Sequence, residues 1–326
     1  MNNLLCLATE HGVIIAERDR SGWREIQHSL IDQVATSIIA REGVILAGTK
    51  NGIFRSDDVG RTWNAASAGL TQRHVRWLAY HPDISDREFA GTEPAGLFVS
   101  HDGAQTWCEC PEVAQLRDRH QWMLPYSPEA GCVRGFAFHG DRAYAAVEVG
   151  GVLRSDDGGE TWRLVDGSDG NPDLDGPPEP FVYPDVHSIS VHPSSPDLVF
   201  GPTGGGFYRS DDGGRTWTLL YDCYCRAAWI DPLDARHIVL SPADGVERNG
   251  RIEESSDGGF TWHAASAGLF VPWPHHMVER FEQIDSELWA VLSNGKLLTA
   301  PFDTLQWQLV LPDVKSINAV TAFPDA

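Results

Sequence analysis

The sequence predicts an all-β chain folded as a single seven-bladed β-propeller over residues 1–326, and three observations lead there. An octapeptide of the form S-x-D-x-G-x-T-W occurs five times, at residues 56–63, 100–107, 155–162, 210–217 and 255–262. Successive copies lie about 40 to 55 residues apart, the length of one four-stranded blade. The composition agrees: 32 Gly, 20 Pro and 12 Trp fit many short strands joined by tight turns, and 42 % apolar residues suffice for a packed core.

The elements follow in chain order. The first segment, GVIIAERDRSGW, keeps a strand and a tryptophan, Trp23, without the octapeptide. The octapeptides then follow apolar strands such as GIFRS, GLFVS, GVLRS and GFYRS. Within each, Asp accepts bonds from nearby backbone N–H groups and Gly supplies a positive φ, which makes a tight turn. Thr and Trp open the outer strand, and the Trp packs between blades. These residues are read as structural; the one departure is Ala104 in place of Gly. After the fifth copy, GKLLTAPFDTLQW ends in Trp307 and again lacks the octapeptide. The last segment, SINAVTAFP, reads as an innermost strand with nothing after it, whereas the first segment reads as a blade missing its innermost strand. The two chain ends therefore share one blade. Five octapeptide blades and two degenerate ones make seven, and closure leaves no exposed inner sheet edge.

The octapeptide resembles the Asp-box, or BNR repeat, of sialidase-like β-propellers. That resemblance implies the propeller fold and a glycosidase-like, hydrolytic function as one class. It equally includes non-catalytic propellers such as the photosystem II assembly factor and sorting receptors, which bind protein. A sialidase would use an Arg triad, a Tyr nucleophile with a Glu, and an Asp acid; Arg76, Arg134 and Arg226 would supply the triad and Tyr224 the nucleophile. The F/Y-R-x-P motif that sialidases carry is absent from the sequence, so the resemblance is to the broader repeat family.

Strand order identifies the working face. The octapeptides join the third and fourth strands of their blades. The long segments 111–131, 166–184, 244–250 and 271–275 emerge from the opposite face, and long loops carry function more often than tight turns. On that face the second position of each innermost strand gives Ala35, Arg76, Arg134, His187, Arg226, Glu279 and Asn318. The matching end of each second strand gives Glu10, Lys50, Glu93, Glu148, Thr203, Ala243 and Ser293. Antiparallel pairing predicts that Arg76 meets Glu93, Arg134 meets Glu148, His187 meets Thr203, Glu279 meets Ser293 and Asn318 meets Glu10. The ion pairs could simply neutralise one another. Arg226 has no carboxylate at its paired position and is the candidate to hold a ligand carboxylate, phosphate or sulfate. The long segments add His120, Trp122, Tyr126 and His276 as candidate ligand contacts.

Function is then expected at the axial mouth, on a polar or anionic small molecule, with a carbohydrate as one candidate. Glu148, Glu93 and His187 are the candidates for proton transfer in a hydrolase or lyase; Arg beside a carboxylate keeps it ionised and suits it to the base role. Arg226, Arg76, Arg134, Tyr224, Glu279, His120, Trp122 and His276 are the substrate-binding candidates. A divalent metal is an alternative cofactor, with His187, His120 and His276 beside the pocket carboxylates as ligands. A protein-binding scaffold is the third class. The formal charge of −21 argues against nucleic acid, which is held by Lys and Arg, and against an anionic membrane surface. No apolar run approaches a transmembrane span. The N-terminal MNNLLCLATEHG lacks the basic and apolar regions of a secretory signal, and six cysteines are too few for a disulfide framework; both lead to the expectation of a cytoplasmic protein. The two C-x-C pairs, Cys108/Cys110 and Cys223/Cys225, read mainly as strand residues on one face.

Overall fold

The computed structural model describes residues 3–323, apart from 21, 125, 128, 129, 174 and 176–179. It contains seven four-stranded sheets, each antiparallel, arranged as the blades of a propeller. The innermost strands, blade by blade, are Ala35–Arg41, His74–Tyr80, Cys132–His139, Ser190–Val191, Tyr224–Ile230, Val278–Ile284 and Ile317–Phe323. Blade 7 is built from both ends of the chain. Ile317–Phe323 pairs with Leu4–Thr9, which continues into Gly12–Asp19 and Gly22–Ser29. The predicted closure is therefore present.

The second strand of each blade is wedged between neighbouring blades, so both its faces are covered. Glu88–Glu93 and Ile238–Ala243 are buried along their whole length. The tryptophans that end the octapeptides fill the gaps between blades: Trp107, Trp162 and Trp217 are almost fully buried. Trp162 packs edge-on against Phe89 of the preceding blade at 6.4 Å, and its indole N–H donates to Gly159 O at 2.9 Å.

The octapeptide turn has the expected chemistry. In the third copy, Asp157 Oδ1 accepts from the N–H groups of Glu160 and Thr161 at 3.1 and 3.0 Å, and Oδ2 accepts from the Thr161 hydroxyl at 2.6 Å. Ser155 Oγ accepts from Gly159 N at 2.9 Å. The fourth and fifth positions both take left-handed backbone, as at Gly158 (φ 73°) and Gly159 (φ 91°). Val59 (φ 60°) and Ala104 (φ 63°) adopt it without being glycine.

Irregularity is concentrated at the working-face end of the innermost strands. The ladder skips a residue at Thr36, Arg76, Arg134, Glu279 and Asn318, and at Arg226 together with Ala227. A residue bulged out of its ladder is free to point across the axis. Blade 4 reaches the same place through an isolated bridge between Val186 and Thr203, next to His187. In blade 1 the bulged residue is Thr36, so the expected ring position Ala35 is out by one; Ala35 is buried and pairs with Thr49.

Segment 111–131, expected as a loop, begins with a helix, Pro111–His120. Pro at its first turn needs no backbone N–H. Glu112 in the first turn and Arg117, Arg119 and His120 in the last complement the helix dipole. In segment 166–184, residues 174 and 176–179 lie outside the described residues, and Val182 N donates to Gly167 O at 2.9 Å. Among the described residues no helix is long and apolar enough to cross a membrane.

Candidate functional site: the axial mouth

The bulged residues meet in a ring of charge at the mouth opposite the octapeptide turns. Within blades, Arg76 donates to Glu93 at 2.8 Å and Arg134 to Glu148 at 2.9 Å, the two pairings that the register predicts. Between blades, Arg134 also lies 3.5 Å from Glu279, and Arg226 donates to the same carboxylate. Arg226 is thus neutralised from the neighbouring blade and is not the uncompensated cation its strand position implies. The remaining expected pairings are not made by side chains. Thr203 Oγ1 donates to Gly206 O, Asn318 donates to Ala35 O at 2.7 Å, and Ser293 Oγ accepts from Met277 N.

The ring divides into two unlike halves. Across blades 3 to 5 it is filled. Tyr126 donates its hydroxyl to Glu148, Ser127 donates to Glu93 at 2.9 Å, and Cys132 donates to Glu148 at 3.1 Å. Burial alone would raise the Glu148 carboxyl, but Arg134, His187, the Tyr126 hydroxyl and Arg76 outweigh it and hold Glu148 well below the usual carboxylate range. At Glu279 burial is likewise outweighed by Arg226 and Arg134, and its carboxyl is held low. Tyr224 accepts from Arg226 Nε at 3.1 Å, and its hydroxyl lies 3.4 Å from His187 Nε2.

Across blades 6, 7, 1 and 2 the ring is open. The short side chains of Thr36 and Asn318 leave a cavity of about 470 Å³, also walled by Lys50, Arg76, Glu279 and Arg280. Glu93, Glu148, His187 and Arg226 do not line it. Arg280, one residue past the bulge at Glu279, enters the wall because the bulge turns it toward the axis. Its guanidinium donates to Thr36 O at 3.0 Å and sits 3.8 Å over the Trp77 ring. It makes no ion pair among the described residues, and neither does Lys50. Burial, then repulsion by Arg134 and Arg76, lowers Arg280 to about 9 and outweighs the opposing pull of Glu279 and Glu282. Reading only the second position of each strand passes over it; the adjacent charges Glu279 and Arg280 were the one signal in the sequence. Farther along the channel, Glu282 shares a narrower wall with Trp77 and Arg280. Close protein pushes its carboxyl up to about 7, although its side chain still meets channel water.

The other expected contacts lie apart from the ring. Trp122 is buried in the core between blades 2 and 3, its N–H donated to Gly170 O at 2.9 Å, so it offers no face to a ligand. His120 ends the helix beside Gly170. His276 stacks on Trp273 at 4.9 Å. Neither joins His187 as a metal ligand: the one group of three or more metal-capable side chains among the described residues is Glu148, Asp185 and His187. Asp185 was missed because no innermost-strand alignment reaches it. The six cysteines form no disulfide.

Fold and repeat together define the class: a seven-bladed β-propeller built on BNR/Asp-box repeats. The BNR/Asp-box repeat family matches residues 153–164 and 208–219. The chain is 27 % identical over 204 residues to the oligoxyloglucan-reducing end-specific xyloglucanase of Emericella nidulans, covering 55 % of this chain and 24 % of that protein. The chain therefore spans about a quarter of that relative. Among solved structures it resembles an ancestral GH74 enzyme (TM-score 0.62, 17 % identity, 84 % of this chain and 38 % of that one). It also resembles YCF48 from Cyanidioschyzon merolae (TM-score 0.58, 11 % identity, 91 % and 95 %). At such identities the structural likenesses establish the fold.

Proposed function

We propose that this chain binds an acidic saccharide, such as a uronate-bearing oligosaccharide or a sugar phosphate, in the axial cavity, with the anionic group lodged against Arg280. The observation that carries this reading is Arg280 itself, an ion-unpaired guanidinium in the wall of a cavity of about 470 Å³, flanked by Arg76 and Lys50. Guanidinium forks suit carboxylate and phosphate. The cavity volume falls within the range of small-molecule sites. The xyloglucanase likeness supports a carbohydrate as the body of the ligand.

Binding is better supported than turnover. Glu93 and Glu148 spend their charge on guanidinium groups and do not line the cavity. Glu282, whose carboxyl can give up a proton near neutral pH, lies deeper in the channel. Isothermal titration with galacturonate oligosaccharides, glucose 6-phosphate and a neutral xyloglucan oligosaccharide tests the reading. The anionic ligands should bind and the neutral one should not. Arg280→Gln should weaken binding roughly 10- to 100-fold, the worth of a charge-assisted hydrogen bond. Equal binding of neutral and anionic ligands, or an Arg280→Gln variant that binds like wild type, rejects the proposal.

A further inference from the structure

We propose that Glu148, Asp185 and His187 form a divalent-cation site, a two-carboxylate, one-imidazole set suited to Zn²⁺, in the half of the ring that the cavity does not occupy. One ligand atom from each lies within 4.8 Å of the others. Donors at about 2.0–2.2 Å from a shared zinc ion lie about 3 to 4 Å apart, so the three need only close slightly.

The orientation of His187 carries the argument. The ring is fully buried, and its Nδ1 lies 2.8 Å from the backbone carbonyl oxygen of Cys225. A carbonyl only accepts, so Nδ1 carries the hydrogen. Nε2 then turns toward Asp185 Oδ2 at 3.1 Å, and in the neutral ring a lone pair faces a carboxylate oxygen. Two such atoms at that distance are bridged either by a proton or by a metal ion. Metal-bound imidazoles have this arrangement, with the far N–H fixed by a backbone carbonyl or a carboxylate.

The carboxylates agree. Arg76, Arg134 and Arg226 are matched by Glu93, Glu148 and Glu279. Asp185 has no Arg or Lys ion partner among the described residues, and the side chain it meets is His187. Its Oδ1 is buried with no hydrogen-bond partner. Gly204 makes room for Oδ2, which any side chain at that position would strike. Glu148, almost fully buried and ion-paired to Arg134, completes the set. The groups facing it are Arg134, Tyr126 and Cys132, and the Tyr224 hydroxyl stands at the edge of the site. The site shares no residue with the Arg280 reading, so either stands without the other.

The test is titration of chelator-stripped protein with Zn²⁺ alone, followed by calorimetry and by imidazole ¹⁵N resonances. One zinc ion per chain should bind, the His187 Nε2 resonance should shift, and the Nδ1 hydrogen should remain. Asp185→Asn keeps the shape and removes the charge; it should weaken zinc at least ~10-fold, since even outer-shell partners are worth that much, while melting as a folded protein. Arg280→Gln should bind zinc like wild type. Three results would each overturn the proposal: no zinc uptake, an Asp185→Asn variant with wild-type affinity, or a His187 imidazolium that holds an Nε2 hydrogen against Asp185 and ignores zinc.

Discussion

Arg134 joins the two halves of the ring: it holds Glu148 at 2.9 Å on the filled side and Glu279 at 3.5 Å on the open side, where it lines the cavity. Glu279 in turn neutralises both Arg134 and Arg226. Replacing it with Gln keeps the volume and strands two guanidinium groups with less charge between them. Glu279→Gln should therefore destabilise the fold by about 3 kcal/mol, as removal of one partner from a buried ion network does, and should at the same time tighten an anionic ligand, because the cavity becomes more positive. Urea unfolding and ligand titration read the two effects separately; a variant that loses both stability and affinity would contradict this account of the cavity. The Arg76–Glu93 and Arg134–Glu148 pairs were legible in the sequence because antiparallel neighbours bring the same ends of their strands together, although the ladder partners of the two carboxylates are His74 and Cys132 and the arginines reach them from bulges. Arg226–Glu279 was not, since it joins strands of different blades, 53 residues apart, and nothing in a single strand's pattern states how two blades are rotated. Arg280 escaped for a related reason: beside the bulge both Glu279 and Arg280 reach the axial cavity, and a bulge leaves no composition signal of its own.

At the level of the repeated turn, one motif position carries opposite demands in different blades. Gly159 has a left-handed backbone, and a methyl group there would run into the Phe89 ring. Phe89 is fully buried among His81, Phe136, Phe138 and Trp162, so it has nowhere to move. Ala104 occupies the equivalent position one blade earlier, and its methyl group is buried in the cluster of Leu46, Leu70 and Trp107. That contact offsets the cost of its positive φ and explains the single departure from the repeat. Gly159→Ala should cost about 1–3 kcal/mol through overpacking with backbone strain added. Ala104→Gly should cost less, about 1 kcal/mol, because relief of strain opposes the lost methyl contact. Thermal melts of the two variants check the order; reversal would mean that strain, not packing, governs the position. The turn was fully legible because its bonds are local, within five residues. The helix at Pro111–His120 was not, although Pro111, Glu112 and the basic last turn are signals of the kind that mark one, because the blade period made the whole segment read as a loop.

Across the whole molecule the acidic composition sets how stability changes with pH. The repeat carboxylates Asp58, Asp102, Asp157, Asp212 and Asp257 are all held below their ordinary range. Asp58 falls to about 2, chiefly through the Thr62 backbone N–H, and Asp257 to about 2, chiefly through the Thr261 hydroxyl. Glu148 and Glu279 are held low at the axis despite their burial. Each binds its proton less readily when folded than when unfolded, where carboxyl groups titrate near about 4. Their contribution is therefore complete above about pH 5 and disappears as pH falls through the folded values. Two terms act the other way between pH 5 and 7: the net charge of −21 repels itself increasingly as pH rises from the isoelectric point near 4.9, and Glu282, pushed up to about 7 by close protein, resists ionisation in the folded channel. The melting temperature should thus peak near pH 5, decline gently toward pH 8 and fall steeply below pH 4. Both chain ends lie in blade 7, where Ile317–Phe323 pairs with Leu4–Thr9. The acid loss should therefore appear as one cooperative transition, with far-ultraviolet circular dichroism and tryptophan fluorescence coinciding. A melting temperature that stays level down to pH 3 would show that the repeat carboxylates and the axial ring do not carry the stability their geometry assigns to them.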